Sequence, residues 1–102
     1  MRQGRQVRPV TGRYLIGELS VRLEQLQAAA GQAACDVADL RRQVDASPAT
    51  WLASETVRAL ALADRLCWDS LSRGDISAFA RQAAICADLH LFGVSARLLD
   101  ED

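Results

Sequence analysis

From residue 15 to residue 44 the chain repeats an apolar side chain every three or four positions. Leu15, Leu19, Leu23, Leu26, Ala30, Ala33, Val37, Leu40 and Val44 form one seam. Alternating steps of three and four hold such residues on a narrow stripe of an α-helix, and no period-two strand pattern survives here. The pattern predicts a first helix from about Arg13 to Asp45. It would be about 50 Å long at 1.5 Å per residue. Glu18 and Arg22 form a favourable i,i+4 pair on its outer side. Gly31 lies among Ala28, Ala29, Ala30, Ala33 and Ala34. A patch of such small residues either lets another helix approach closely or marks a break.

Ser47-Pro48 is the first clear boundary. Proline disfavours helical geometry in the preceding residue and offers no N–H, so the first helix should end by Ala46. The same pair fits the start of the next helix, with Ser47 as N-cap and Pro48 in the first turn. That helix is expected from Pro48 to about Arg73. Its apolar residues, Trp51, Leu52, Val57, Leu60, Leu62, Leu66, Cys67, Trp68 and Leu71, spread over more than one face. Gly74 suits the left-handed position after a helix end, and Asp75 suits the N-cap of a third helix. Gly93 is expected to end or bend that helix, with one or two further turns over Val94 to Leu99. Upstream, Gly4, Pro9 and Gly12 interrupt residues 1–12, and Thr11 is a candidate N-cap.

Short connections make consecutive helices antiparallel neighbours. The expected fold is therefore all-α: an up-down-up antiparallel bundle of three long helices, or four if helix one breaks near Gly31. Residues 1–12 read as a flexible basic arm and residues 13–102 as a single helical-bundle domain. A first helix longer than its partners would expose part of its seam unless a second copy covers it. On that reading the chain is a homodimer, with Leu19, Leu23, Leu26, Ala30 and Ala33 as the self-association surface. A heterologous protein partner is compatible with the same surface.

The composition agrees with this class. Half of the 102 residues are hydrophobic but only 5% are aromatic, so the core rests on Leu, Ala and Val. All 12 positive side chains are Arg, and the net charge is −1. Arg2, Arg5, Arg8 and Arg13 fall within the first thirteen residues, where there is no acid. The rest is acidic, which repels phosphate and disfavours nucleic acid; the four arginines are the only candidates for such contacts. No run reaches the roughly 18 apolar residues of a membrane span. No secretory leader pattern is present. Three separated cysteines are no disulfide framework, and a reducing cytoplasm is the expected compartment.

Candidate chemistry is sparse. Cys35, Cys67, Cys86 and His90 are the four residues that a bundle would have to bring together to hold zinc, and their spacing matches no ribbon or finger. Small buried thiols in an Ala-rich core are the plainer reading. His90 lies one turn after Cys86, and Asp64 lies near the apolar side of helix two. Any acid–base or nucleophilic chemistry would rest on these groups, and no oxyanion hole, phosphate loop or metalloprotease pattern accompanies them. Trp51 and Trp68 lie nearly five turns apart and are candidates for one shared face. Arg73-Gly74-Asp75 reads as a turn. A helix-turn-helix reading would rest on Ser77, Arg81 and Gln82. The sequence thus favours a non-catalytic protein-interaction or self-association module, with no cofactor and no catalytic residue assigned. A ligand- or metal-sensing bundle and a nucleic-acid accessory protein are the alternatives.

Overall fold

The structure is a computed structural model that describes residues 8–99, with side chains from residue 12 onward. The described residues form four α-helices: α1 (Arg8–Ala28), α2 (Ala34–Ala46), α3 (Leu52–Ser72) and α4 (Ile76–Ser95). Short 3-10 turns, Gly31–Ala33 and Ala49–Trp51, precede α2 and α3. The all-α bundle is as expected, in its four-helix form. The long first helix breaks at Gly31, which takes φ +59°, a left-handed conformation that glycine adopts without a Cβ clash. The chain then turns back, and α2 packs along α1.

This break decides what covers the seam. Leu19, Leu23 and Leu26 on α1 and Val37 and Val44 on α2 are fully buried; Ala30 and Leu40 are 5% exposed. Folded at Gly31, the seam meets itself. The expected self-association surface is therefore not a surface. Leu19, Leu23, Leu26 and Ala30 belong to the core cluster, and Ala33 packs against it.

Other boundaries moved for identifiable reasons. Helix α1 begins at Arg8, not Arg13, so residues 8–12 are helical and Thr11 lies inside the helix. Pro9 is tolerated there because the first-turn N–H groups have no helical partner anyway. Gly12 is a contact glycine: a Cβ would come within 2.7 Å of the Ala49 Cβ. The candidate arm residues Arg2 and Arg5 lie outside the described residues. Arg13 is exposed.

Ser47 and Pro48 are both extended, with ψ 147° and 149°, so α3 begins only after the 3-10 turn, at Leu52. Ser47 does not cap α3. Its hydroxyl lies 2.6 Å from the Gln43 carbonyl oxygen and 3.1 Å from a carboxylate oxygen of Glu55. One hydroxyl proton serves one of them at a time. Glu55 is buried and also accepts from Arg58 at 2.9 Å, which places a paired carboxylate in the first turn of α3, where the helix dipole favours it.

The α3–α4 turn is as the sequence implied. Gly74 has φ +75°, the Asp75 N–H donates to the Ser70 carbonyl at 2.9 Å and the Gly74 N–H to Leu71 at 3.0 Å. This pair of bonds is a Schellman ending. Asp75 caps α4, accepting from the Ala78 N–H at 3.1 Å. Gly93, by contrast, does not end α4; it is buried within it. The helix ends at Ser95, and Arg97 takes φ 62°. The Leu98 N–H then returns to the Gly93 carbonyl at 2.7 Å. A Cβ at Gly93 would overlap the Leu99 side chain, so glycine makes room for the returning chain.

The molecule is a slab with Cα extents of 54 × 28 × 16 Å. It consists of two helical hairpins, α1–α2 and α3–α4, the two most intimately packed helix pairs. One polar chain joins them inside. Ser70 on α3 donates to Gln82 Oε1 on α4 at 2.7 Å, and Gln82 Nε2 donates to the Ala29 carbonyl at 2.7 Å. Ser70 and Gln82 are 0% and 1% exposed. The bond satisfies a carbonyl left without a helical partner at the end of α1.

Candidate binding groove between the third and fourth helices

A concavity lies along the outer side of the α3–α4 hairpin. It is an open groove of about 560 Å³. Leu60, Asp64, Cys67, Trp68 and Leu71 form one wall, and Phe79, Ala83, Cys86, Ala87 and His90 the other. The volume lies within the range of small-ligand sites, roughly 300–1,000 Å³. The lining is largely apolar. Trp68 is 62% exposed and Leu71 40%, so large apolar side chains stand in water here.

The walls are in register. In an antiparallel hairpin, facing residues have numbers with a nearly constant sum. The Ser70–Gln82 bond fixes that sum on the inner side. One turn further from the loop, three residues back on α3 and four forward on α4, lie Cys67 and Cys86. One turn beyond them lie Asp64 and His90. The groove thus carries two facing thiols and a facing carboxylate and imidazole. Asp64 and His90 form no ion pair with each other or with any other described residue.

All three cysteines are free. Burial, then the neighbouring Cys86, then Asp64, push the Cys67 thiol above its ordinary value of 9.0. Burial and then Asp64 push Cys86 in the same direction. Desolvation and a nearby negative charge both disfavour a thiolate. This is the reverse of the tuning a nucleophilic cysteine needs.

The sequence-derived candidates are partly united. Cys67, Cys86, His90 and Asp64 line one groove, while Cys35 sits exposed in the first turn of α2. The four-residue zinc set is therefore not assembled. Among the described residues, no group of three or more His, Cys, Asp or Glu side chains is placed to hold a metal ion. Trp51 and Trp68 do not share the groove; Trp51 ends the 3-10 turn before α3. Gln82, a candidate base reader, is spent in the interior. Arg73-Gly74-Asp75 is spent in the turn. No described helix is long and apolar enough to cross a membrane.

Elsewhere the polar side chains mostly join helices. Arg22 reaches Glu18 at 3.0 Å and Asp88 at 2.9 Å, and its guanidinium lies 4.7 Å from the Phe92 ring centroid. Arg41 donates to Ser20 at 3.2 Å, and Arg58 to Gln43 at 2.7 Å. The groove had two legible signals, the apolar arc of α3 too wide for a single buried face and the one-turn spacing of Cys86 and His90. No family model, curated protein or solved structure matches this chain.

Proposed function

We propose that the chain is a non-catalytic binding module whose working face is the α3–α4 groove, and that its first partner is a second copy of itself. The observation that carries this reading is the unpartnered, self-complementary groove. Asp64 stands on one wall and His90 opposite it on the other, with apolar side chains between and around them. A two-fold axis running along the groove lays α3 of one copy on α4 of the other. Asp64 then faces His90 of the second copy, and the contact occurs twice, as an isologous interface requires. A face of two helices, each about 30 Å long and 10 Å wide, offers about 600 Å². That approaches the ~800 Å² per partner of a stable interface. Trp68 supplies the large aromatic anchor that dominates such contacts. The upward-shifted thiols disfavour a catalytic nucleophile in this groove.

Sedimentation of the purified chain over a wide concentration range tests the proposal. A concentration-dependent dimer is expected, weakened at least tenfold by Trp68→Arg and unaffected by Val21→Arg on the exposed side of α1. Asp64→His and His90→Asp should each weaken the dimer, and the double exchange should restore it. A strict monomer at the highest concentration would sink the reading.

A further inference from the structure

We propose that Cys67 and Cys86 form a dithiol modification site that closes as an intrachain disulfide by exchange with an external disulfide. The geometry comes from the hairpin register. Ser70 and Gln82 are hydrogen-bonded across α3 and α4 at 2.7 Å, and the next turn on each helix away from the loop presents Cys67 and Cys86. Both line the same groove from opposite walls. A disulfide needs Cα atoms about 4.4–6.8 Å apart, closer than most facing helical residues. Here α3 and α4 are the most closely packed helix pair, and the groove residues beside Cys86, Ala83 and Ala87, are small, which lets two helices approach closely. Each thiol also lies within electrostatic reach of its neighbours: Cys86 acts on Cys67, and Asp64 acts on both. Cys35 has no place in this site, being exposed on α2 and outside the groove.

The exchange proceeds in two steps. Cys86 is the more exposed of the two and attacks first. Its thiolate takes one sulfur of the external disulfide, and the other half leaves as a thiolate. Cys67, 8% exposed, then attacks the Cys86 sulfur of the mixed disulfide and expels the second half. The two protein thiols are oxidised, the external disulfide is reduced to two thiols, and the two protons lost by the cysteines end on them. Because burial and Asp64 disfavour the thiolates, the reaction is slow at neutral pH. Its rate rises about tenfold per pH unit until the attacking thiol has ionised.

The proposal requires the α3–α4 register and not self-association; because the proposed dimer would cover both thiols and set Cys67 opposite Cys86 of the second copy, it is tested on dilute, monomeric chain. The test incubates the whole native chain with oxidised glutathione, quenches with acid, and maps tryptic peptides without reduction. The expected product joins residues 66–73 to residues 82–97, with the mass of two hydrogen atoms lost. Cys35 carries at most a glutathione adduct. The same treatment in concentrated urea gives a mixture of all three pairings. Cys67→Ser leaves a lasting glutathione adduct on Cys86, because the thiol that would resolve it is gone. A persistent adduct on both Cys67 and Cys86 of the native chain, a pairing that includes Cys35, or a bond between two copies would overturn the assignment.

Discussion

The α3–α4 hairpin carries more apolar sequence than the α1–α2 hairpin, and the two treat it in opposite ways. The α1–α2 hairpin hides the large aliphatic residues of its seam: Leu19, Leu23, Leu26, Val37 and Val44 have no exposed surface. Its two limbs are also joined across the outside by Arg41 to Ser20 and Glu24. The α3–α4 hairpin places small and polar residues inside, among them Ala59, Ala63, Ser70 and Gln82, and leaves Trp68, Leu71, Ile76 and Leu91 exposed. The difference lies in periodicity. A seam three or four residues apart occupies one stripe, and one neighbour covers it. An apolar arc wider than one stripe needs a second neighbour, and α4 and the rest of the chain supply cover on one side only.

The comparison can be broken most forcefully in the first hairpin. Leu23→Ala should cost about 2–5 kcal/mol, because it empties a fully enclosed site. Trp68→Ala removes a larger side chain yet should cost less than about 1 kcal/mol, since the ring is mostly in water. Urea unfolding of the two variants, at concentrations where the chain is monomeric, measures the contrast. Equal losses would mean that the groove is closed in solution.

A smaller effect is expected where the hairpins meet. Gln82→Ala strands the Ala29 carbonyl and the Ser70 hydroxyl in the interior, at about 1–3 kcal/mol. Gln82→Leu fills the space but leaves the same two groups without a partner, so it should not restore stability. Full stability of the leucine variant would show that the polar clasp is dispensable.

The smallest effect is in alkaline solution and belongs to the second hairpin alone. Cys67 and Cys86 have folded-state pKa values raised above the ordinary 9.0 of the unfolded chain. The fold prefers the neutral thiols. Stability from this source is complete below the unfolded value and is lost as pH rises through the raised ones. The urea midpoint should therefore fall on the alkaline side, and Cys67→Ala combined with Cys86→Ala should flatten that fall. An unchanged slope in the double variant would separate the thiols from alkaline sensitivity.

How far the sequence speaks differs from residue to residue. Gly31, Gly74 and Asp75 were legible because each acts through local backbone geometry that needs no distant partner. The seam was legible as a seam, but its cover was not: whether a long helix folds onto itself or waits for another chain depends on the conformation at one glycine. Gly93 was misread because its role depends on Leu99 returning to it after the helix has ended. Thr11 was misread because Pro9 makes a good first turn two residues earlier. Gln82 stood out only as a residue a helix-turn-helix would present to base edges, and only the tertiary fold brings the Ala29 carbonyl within 2.7 Å of it. At the groove, the spacing of Cys86 and His90 was visible, whereas their alignment with Cys67 and Asp64 required the hairpin register.

The Gln82 clasp spans 53 residues of chain, while each hairpin closes through a loop of a few residues. Short loops close at small entropic cost and long ones later, so the natural order of assembly is two hairpins first and the clasp last. Run backwards, the same order says how the molecule loosens. The first step of opening is then loss of the clasp together with the shared core contacts and polar contacts between the hairpins, and it parts one hairpin from the other without unwinding either.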